Sequence, residues 1–184
     1  MRRMIAKLQR YATGRLVFLL FLLTTIVYLV IVLYTIPAVT AQAPDLKLFD
    51  MSPGGYSAEY ASQLLKAIGP TGRKVYLNLQ LPIDFIYPGL FAVTYTLMLI
   101  WLFGKRFNIK SKLFFLTLIP AFAGLFDYFE NIGIILMLRS FPKLSVTLVQ
   151  VTSWFSITKS ILTIATYILL LIGLVMLIVK PKSR

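Results

Sequence analysis

The chain of 184 residues contains no cysteine and no histidine, and only six acidic residues against nineteen lysines and arginines. The first two absences remove thiol nucleophiles, disulfide relays, histidine-based triads and imidazole-built zinc or non-haem iron centres. No resident metal and no cofactor are therefore expected. Polar stretches are also scarce. Hydrophobic residues make up 59% and charged residues 14%, with a mean hydropathy of +0.84, whereas a soluble domain has about 45–50% apolar and about 25% charged residues. That balance excludes a water-soluble fold, and residues 1–184 read as a single integral membrane domain.

Four runs are long and apolar enough to cross a hydrocarbon layer of about 30 Å, which takes roughly 20 helical residues. They are Leu16 to Ile36, Ile83 to Phe103, Leu113 to Leu138 and Trp154 to Val179. No segment alternates with a period of two over barrel-strand length, and lipid does not tolerate open sheet edges. The predicted fold is therefore all-α, a four-transmembrane-helix bundle. Ala41-Gln42-Ala43 has the spacing of a signal-peptide cleavage site, but the apolar run before it covers 21 residues, longer than the usual length of about 7–15. Residues 1–43 are accordingly expected to stay in place as the first span.

The long connection, residues 40–75, opens irregularly at Pro44, Pro53, Gly54 and Gly55. Ser57 can then cap a short helix that Gly69-Pro70 ends. Ala58, Ala61, Leu64, Leu65 and Ile68 fall on one face of it, and Glu59, Gln63 and Lys66 on the other. Such an amphipathic helix is expected to lie on the membrane surface or to cap the bundle.

Direction follows from the basic residues. Arg2, Arg3, Lys7, Arg10, Arg15, Lys105, Arg106, Lys110, Lys112, Lys180, Lys182 and Arg184 fall on the side of the termini, twelve in all, and Lys47, Lys66, Arg73, Lys74, Arg139 and Lys143, six in all, on the other. The positive-inside rule puts both termini in the cytoplasm and the 40–75 loop outside. These charges are scattered through short connections with no binding motif, so membrane lipid is the expected partner and nucleic acid is not.

The remaining charges are the informative ones. Asp84, Asp127, Glu130 and Lys159 lie in or at the edge of the spans, where a central charge costs about 2.5–3.5 kcal/mol, so such groups are read as paired or functional. At about 1.5 Å per helical residue, counted from the cytoplasmic ends, Asp127, Glu130, Asp84 and Lys159 come to roughly 21, 26, 29 and 30 Å. All four thus reach one level near the outer interface. Faces agree with depths. Pro120, Ala123, Gly124, Asp127, Glu130 and Asn131 share one side of the third span, and Thr152, Ser156, Lys159, Thr163 and Thr166 one side of the fourth. In the second span Gln80, Asp84, Tyr87, Pro88 and Tyr95 make a looser stripe, with Pro88 a predicted kink. Asp84, Tyr87, Asp127, Glu130, Asn131, Ser156 and Lys159 are the candidate ligand-binding residues.

Three carboxylates against one lysine leave a formal charge of −2, to be balanced by protons, a cation, or Arg73, Lys74 or Arg139. Asp127 and Glu130, three residues apart, are expected to share a proton or a cation. The pattern suits an outward-facing pocket that binds or moves a proton, a small cation or a lipid or amine head group. Two other functions produce the same residues. One is an intramembrane acid–base or aspartic-type enzyme acting on a lipid or peptide, with Asp84, Asp127, Glu130 and Lys159 as candidate catalytic groups and Ser156 and Lys159 at the i, i+3 spacing of a Ser-Lys nucleophile pair. The other is an assembly subunit whose polar stripe meets a membrane-complex partner, or a second copy in a homo-oligomer. A plain Asp84–Lys159 or Glu130–Lys159 salt bridge would also account for the charges.

Overall fold

In the computed structural model of the chain, residues 2–107 and 111–178 are described, with side chains from residue 7 onward. Lys110, Lys180, Lys182, Arg184 and Val179, and the side chains of Arg2 and Arg3, lie outside the described residues. All regular structure among the described residues is helical. Four helices are long and apolar enough to cross a membrane: Gly14–Thr40, Gly69–Gly104, Lys112–Ser140 and Val146–Ile178. The chain is an integral multi-pass membrane protein with a transmembrane helical bundle.

Two spans begin well before the point that hydropathy indicates. The second starts at Gly69 rather than Ile83, and the fourth at Val146 rather than Trp154. Arg73, Lys74, Asn78 and Gln80 lower the hydropathy of the added turns without opposing helix formation. Only Ile68 therefore separates the loop helix Ala58–Ala67 from the second span. Gly69, with a φ of +65°, turns the chain before Pro70 starts the new helix. The connection between the third and fourth spans shrinks to residues 141–145. The chain also forms an N-terminal helix, Arg2–Tyr11, that the charge count does not reveal. It packs on the second span, where Leu8 joins the apolar core.

Proline shapes each of the first three spans. Pro37 and Pro82 each lack an N–H and crowd the carbonyl four residues earlier, at Leu33 and Asn78. Both of those residues sit in widened π-helical turns, Ile31–Thr35 and Tyr76–Gln80, which absorb the clash. The two turns pack on each other, and Thr35 donates its hydroxyl hydrogen to Gln80 Oε1 between them. Pro88 opens the main helical segment of the second span after a break at Phe85 and Ile86, as a kink there requires. Pro120 opens the α-helical part of the third span, so Lys112–Leu118 winds as a tighter 3-10 helix.

The second span packs against all three others, and the third packs most extensively on the fourth. Small residues of the third span permit close packing on both the second and the fourth. A Cβ at Gly124 would come within 2.5 Å of the Pro88 carbonyl oxygen, and one at Gly133 would overlap Thr152. Two apolar cores result. One, with Val17, Leu99, Ile100, Phe103, Phe114 and Leu170, fills the end near the N-terminal helix. The other fills the loop end, where helix Ala58–Ala67 buries Ala61, Leu64 and Leu65 against Phe49, Ile134, Met137 and Val149. Ser57 caps this helix by accepting from the Tyr60 N–H at 3.2 Å. The charged residues of the spans lie among the elements that these two cores hold together.

Candidate functional site

Lys159, on the fourth span, organises the site. Its Nζ donates to Asp127 Oδ1 at 3.2 Å and forms a second, closer ion pair with Glu130 Oε2. The 3-residue spacing that places both acids on one face of the third span lets one ammonium meet both. Glu130 and Asn131 are completely buried, and Asp84 and Asp127 nearly so. Asn131 Nδ2 donates to the backbone carbonyl of Asp84 at 3.4 Å, joining the third span to the break in the second. Glu130 Oε1, Asp84 Oδ2 and Asn131 Oδ1 are buried without a hydrogen-bond partner. Unpartnered oxygens at such depth are uncommon in folded proteins and carry a desolvation cost.

A fourth acid joins from the loop. Asp50, in the 3-10 turn Phe49–Met51, accepts from Tyr76 Oη at 3.1 Å and from Gln80 Nε2 at 3.2 Å. Both donors come from the π-turn of the second span, so the irregular winding there supplies the cradle for Asp50. The loop reaches inward because the fourth span holds it. The Tyr56 N–H donates to Ser153 Oγ at 2.8 Å, and Ser156 Oγ donates to the Ser52 carbonyl at 3.2 Å. Gly55 takes a φ of +80° beside Ser153, where a Cβ would lie 2.5 Å from Oγ. Burial pushes the Asp50 carboxyl above its ordinary value of 3.8. The Lys159 charge pulls it down, Asp127 pushes it up, and the Tyr76 and Gln80 hydrogen bonds lower it. Burial likewise raises the Tyr56 hydroxyl, with the Glu130 and Asp50 charges adding to the rise.

A cavity of about 270 Å³ opens at this cluster. Phe91, Ala123 and Asp127 form its buried floor, on the second and third spans. Asp50, Met51 and Pro53 come from the loop, Tyr28 and Tyr87 from the first and second spans, and Lys159, Ser160, Thr163 and Ile164 from the fourth. The Tyr28 and Tyr87 rings lie 5.7 Å apart between centroids, and Tyr87 and Phe91 5.9 Å, so aromatic rings make one continuous wall. Asp50 and Asp84 both stand within electrostatic reach of Asp127 and Lys159. Of the four carboxylates Asp50, Asp84, Asp127 and Glu130, the last two pair with the Lys159 ammonium. If all are ionised, four negative charges against one positive leave a formal −3.

Of the residues anticipated from sequence, the structure brings Asp84, Asp127, Glu130, Asn131 and Lys159 together and places Tyr87 in the cavity wall. Asp84, Glu130 and Asn131 stand outside the lining, buried behind it, and the second aspartate that lines the cavity is Asp50. Ser156 is spent on the loop carbonyl, and Ser160 takes the lining position one turn further on. The suggested balancing cations lie elsewhere. Arg73 Nη1 donates to the Leu65 carbonyl at 2.6 Å and its guanidinium covers the Phe141 ring at 4.6 Å, while Lys74 and Arg139 are exposed. Sequence reasoning missed Asp50, Tyr28 and Phe91. The one local signal for Asp50 is its neighbourhood, Leu48, Phe49 and Met51, too apolar for a loop in water. Among the described residues no three acids are grouped as a metal site would require. Compared with protein-family models, curated proteins and solved structures, the chain matches none.

Proposed function

We propose that this membrane protein binds an ammonium-bearing cation in the loop-end cavity, with Asp50 and Asp127 as counter-charges and Lys159 as the partner a ligand displaces. The observation that carries this reading is the surplus of carboxylates beside an open cavity: Asp127 and Glu130 pair with Lys159, and Asp50 and Asp84 stand within electrostatic reach of it with no cation of their own in contact among the described residues. The lining favours a large, diffuse cation. Aromatic rings such as those of Tyr28, Tyr87 and Phe91 attract an ammonium group at about 0.5–2 kcal/mol each when desolvated, and two acids, Asp50 and Asp127, share the lining with them. In this proposal both termini are cytoplasmic, helix Ala58–Ala67 caps the outer end of the bundle, and the cavity belongs to the outer leaflet.

Thermal unfolding in neutral detergent tests the binding. Tetramethylammonium chloride should stabilise the protein more than sodium chloride at equal ionic strength, as a ligand selective for the folded state does. Asp50→Asn and Asp127→Asn should each reduce the difference. Equal stabilisation by both salts refutes the reading. Orientation is accessible because the chain has no native cysteine. A membrane-impermeant maleimide added to intact cells should label Glu59→Cys and leave Lys105→Cys untouched.

A second reading, acid–base chemistry on the bound ligand, is favoured by the presence of two aspartates, Asp50 and Asp127, in one cavity wall. Its test is product formation from a retained ligand in wild type and not in Asp127→Asn that still binds it.

A further inference from the structure

Resting on the cavity's reading as an ammonium site, we infer that the ligand is a membrane amphiphile, whose ammonium head enters sideways from the bilayer between the first and fourth spans while its tail stays in lipid. The packing leaves that side open. The first span packs on the second, and the fourth on the third and second, but the first and fourth share no substantial contact. The cavity lies in this gap. Its floor is buried, whereas the rim residues Tyr28, Met51 and Ile164 are 46%, 42% and 58% exposed.

The rim sits at a depth that hydrocarbon covers. Tyr28 lies 14 residues from the start of Gly14–Thr40, and Ile164 lies 14 residues from the end of Val146–Ile178. At about 1.5 Å per residue each is about 21 Å from the same end of the bundle, within a hydrocarbon layer of about 30 Å. A water-borne ion would have to reach these carboxylates past the loop. Phe49 fills the core on that side, and Ser153 and Ser156 hold the loop down. An amphiphile meets no such obstacle. From the rim, Ile164, Ile168, Leu171 and Val175 follow one another at 4-, 3- and 4-residue steps along the exposed face of the fourth span, a continuous apolar track for an acyl tail. In the opposite direction from the rim the lining turns polar, from Ile164 through Thr163 and Ser160 to Lys159 and Asp127. That gradient matches a molecule with one charged end and one apolar end.

The test compares two probes with the same charged head, tetramethylammonium and dodecyltrimethylammonium, by thermal stabilisation of the full chain in neutral detergent. The tailed probe should act at a concentration at least tenfold lower, and Asp50→Asn should weaken both. Ile168→Trp, on the exposed track one turn beyond the cavity lining, should weaken only the tailed probe by tenfold or more, while Val175→Trp, at the far end of the track, should change it less than threefold. Equal potency of the two probes, or indifference of the tailed probe to Ile168→Trp, overturns lateral entry and leaves the ammonium site standing. Indifference of both probes to Asp50→Asn and Asp127→Asn overturns the site itself. Monodispersity of every variant in size-exclusion chromatography separates these outcomes from misfolding.

Discussion

The first and fourth spans differ from the second and third in what surrounds them. Only 17% of the most apolar stretch of each outer span is buried within the protein, against 50% and 44% for the inner pair. The acids follow the same division, since Asp84, Asp127 and Glu130 all belong to the inner pair. A span surrounded by protein can carry carboxylates because neighbouring helices supply partners, whereas a span facing lipid has none to offer them. The fourth span bridges the two classes. One of its faces is a run of exposed isoleucines and leucines, and the other buries Thr152 and Thr166 within the bundle and Ser153 and Ser156 against the loop, with Lys159 beside them.

Variants can break this contrast in order of expected size. Lys159→Met leaves Asp127 and Glu130 without their common partner, and loss of one member of a buried ion pair costs about 3–5 kcal/mol. The unfolding temperature should fall steeply, and adding Glu130→Gln should recover part of the loss. A Lys159→Met protein as stable as wild type would show that lysine contributes nothing to the packing of the inner pair. Next comes Gly133→Ala, which drives a methyl group into Thr152 at the contact of third and fourth spans. Overpacking of this kind costs about 1–3 kcal/mol, while Leu171→Ala on the lipid face should stay within about 0.5 kcal/mol. Similar effects at the two positions would erase the distinction between inner and outer faces.

The smaller effects sharpen it. Thr24 and Thr94 share a 2.7 Å hydrogen bond that ties the outer first span to the inner second. Thr94→Val should cost about 0.6 kcal/mol, the usual worth of such a bond between membrane helices, measured by unfolding in detergent. Asp50 adds a pH dependence. Its folded carboxyl titrates above the ordinary 3.8, so the folded protein retains a proton that the unfolded chain has lost. Stability should therefore decline as pH rises from that ordinary value through the Asp50 titration. Affinity for tetramethylammonium should rise severalfold over the same interval, because the cation prefers the ionised carboxyl. Asp50→Asn should flatten both slopes, and unchanged slopes would remove Asp50 from the site.

Parts of the site are legible in the amino-acid sequence. The third-span stripe from Pro120 to Asn131 follows 3- and 4-residue steps, and every member of it is buried. Helical geometry leaves little choice: acids at i and i+3 share a face, and in a membrane that face seeks protein. Depth counting brings Lys159 to the level of Asp127 and Glu130, and it pairs with both. Asp50 is illegible by the same means, because apolar Leu48, Phe49 and Met51 hint that the loop turns inward but say nothing of which groups it meets. Its position depends on Ser153 and Ser156, about one hundred residues away, and on the Tyr76–Gln80 cradle that Pro82 provokes. The early start of the second span is hidden for a related reason. Polar residues such as Asn78 and Gln80 read as loop until partners such as Thr35 and Asp50 are known.

The amino-acid sequence alone therefore determined the membrane class, the all-helical bundle and the shared face of Asp127, Glu130 and Asn131. Composition decides the solvent in which a chain folds, and helical periodicity decides the direction in which neighbouring side chains point. Tertiary structure decided the rest: that the loop brings Asp50 to the cluster, that Ser156 holds the loop, and that a cavity opens between the first and fourth spans. Those features arise from contacts between residues distant in the chain, and a pattern confined to one helix holds no information about which other helix it will meet.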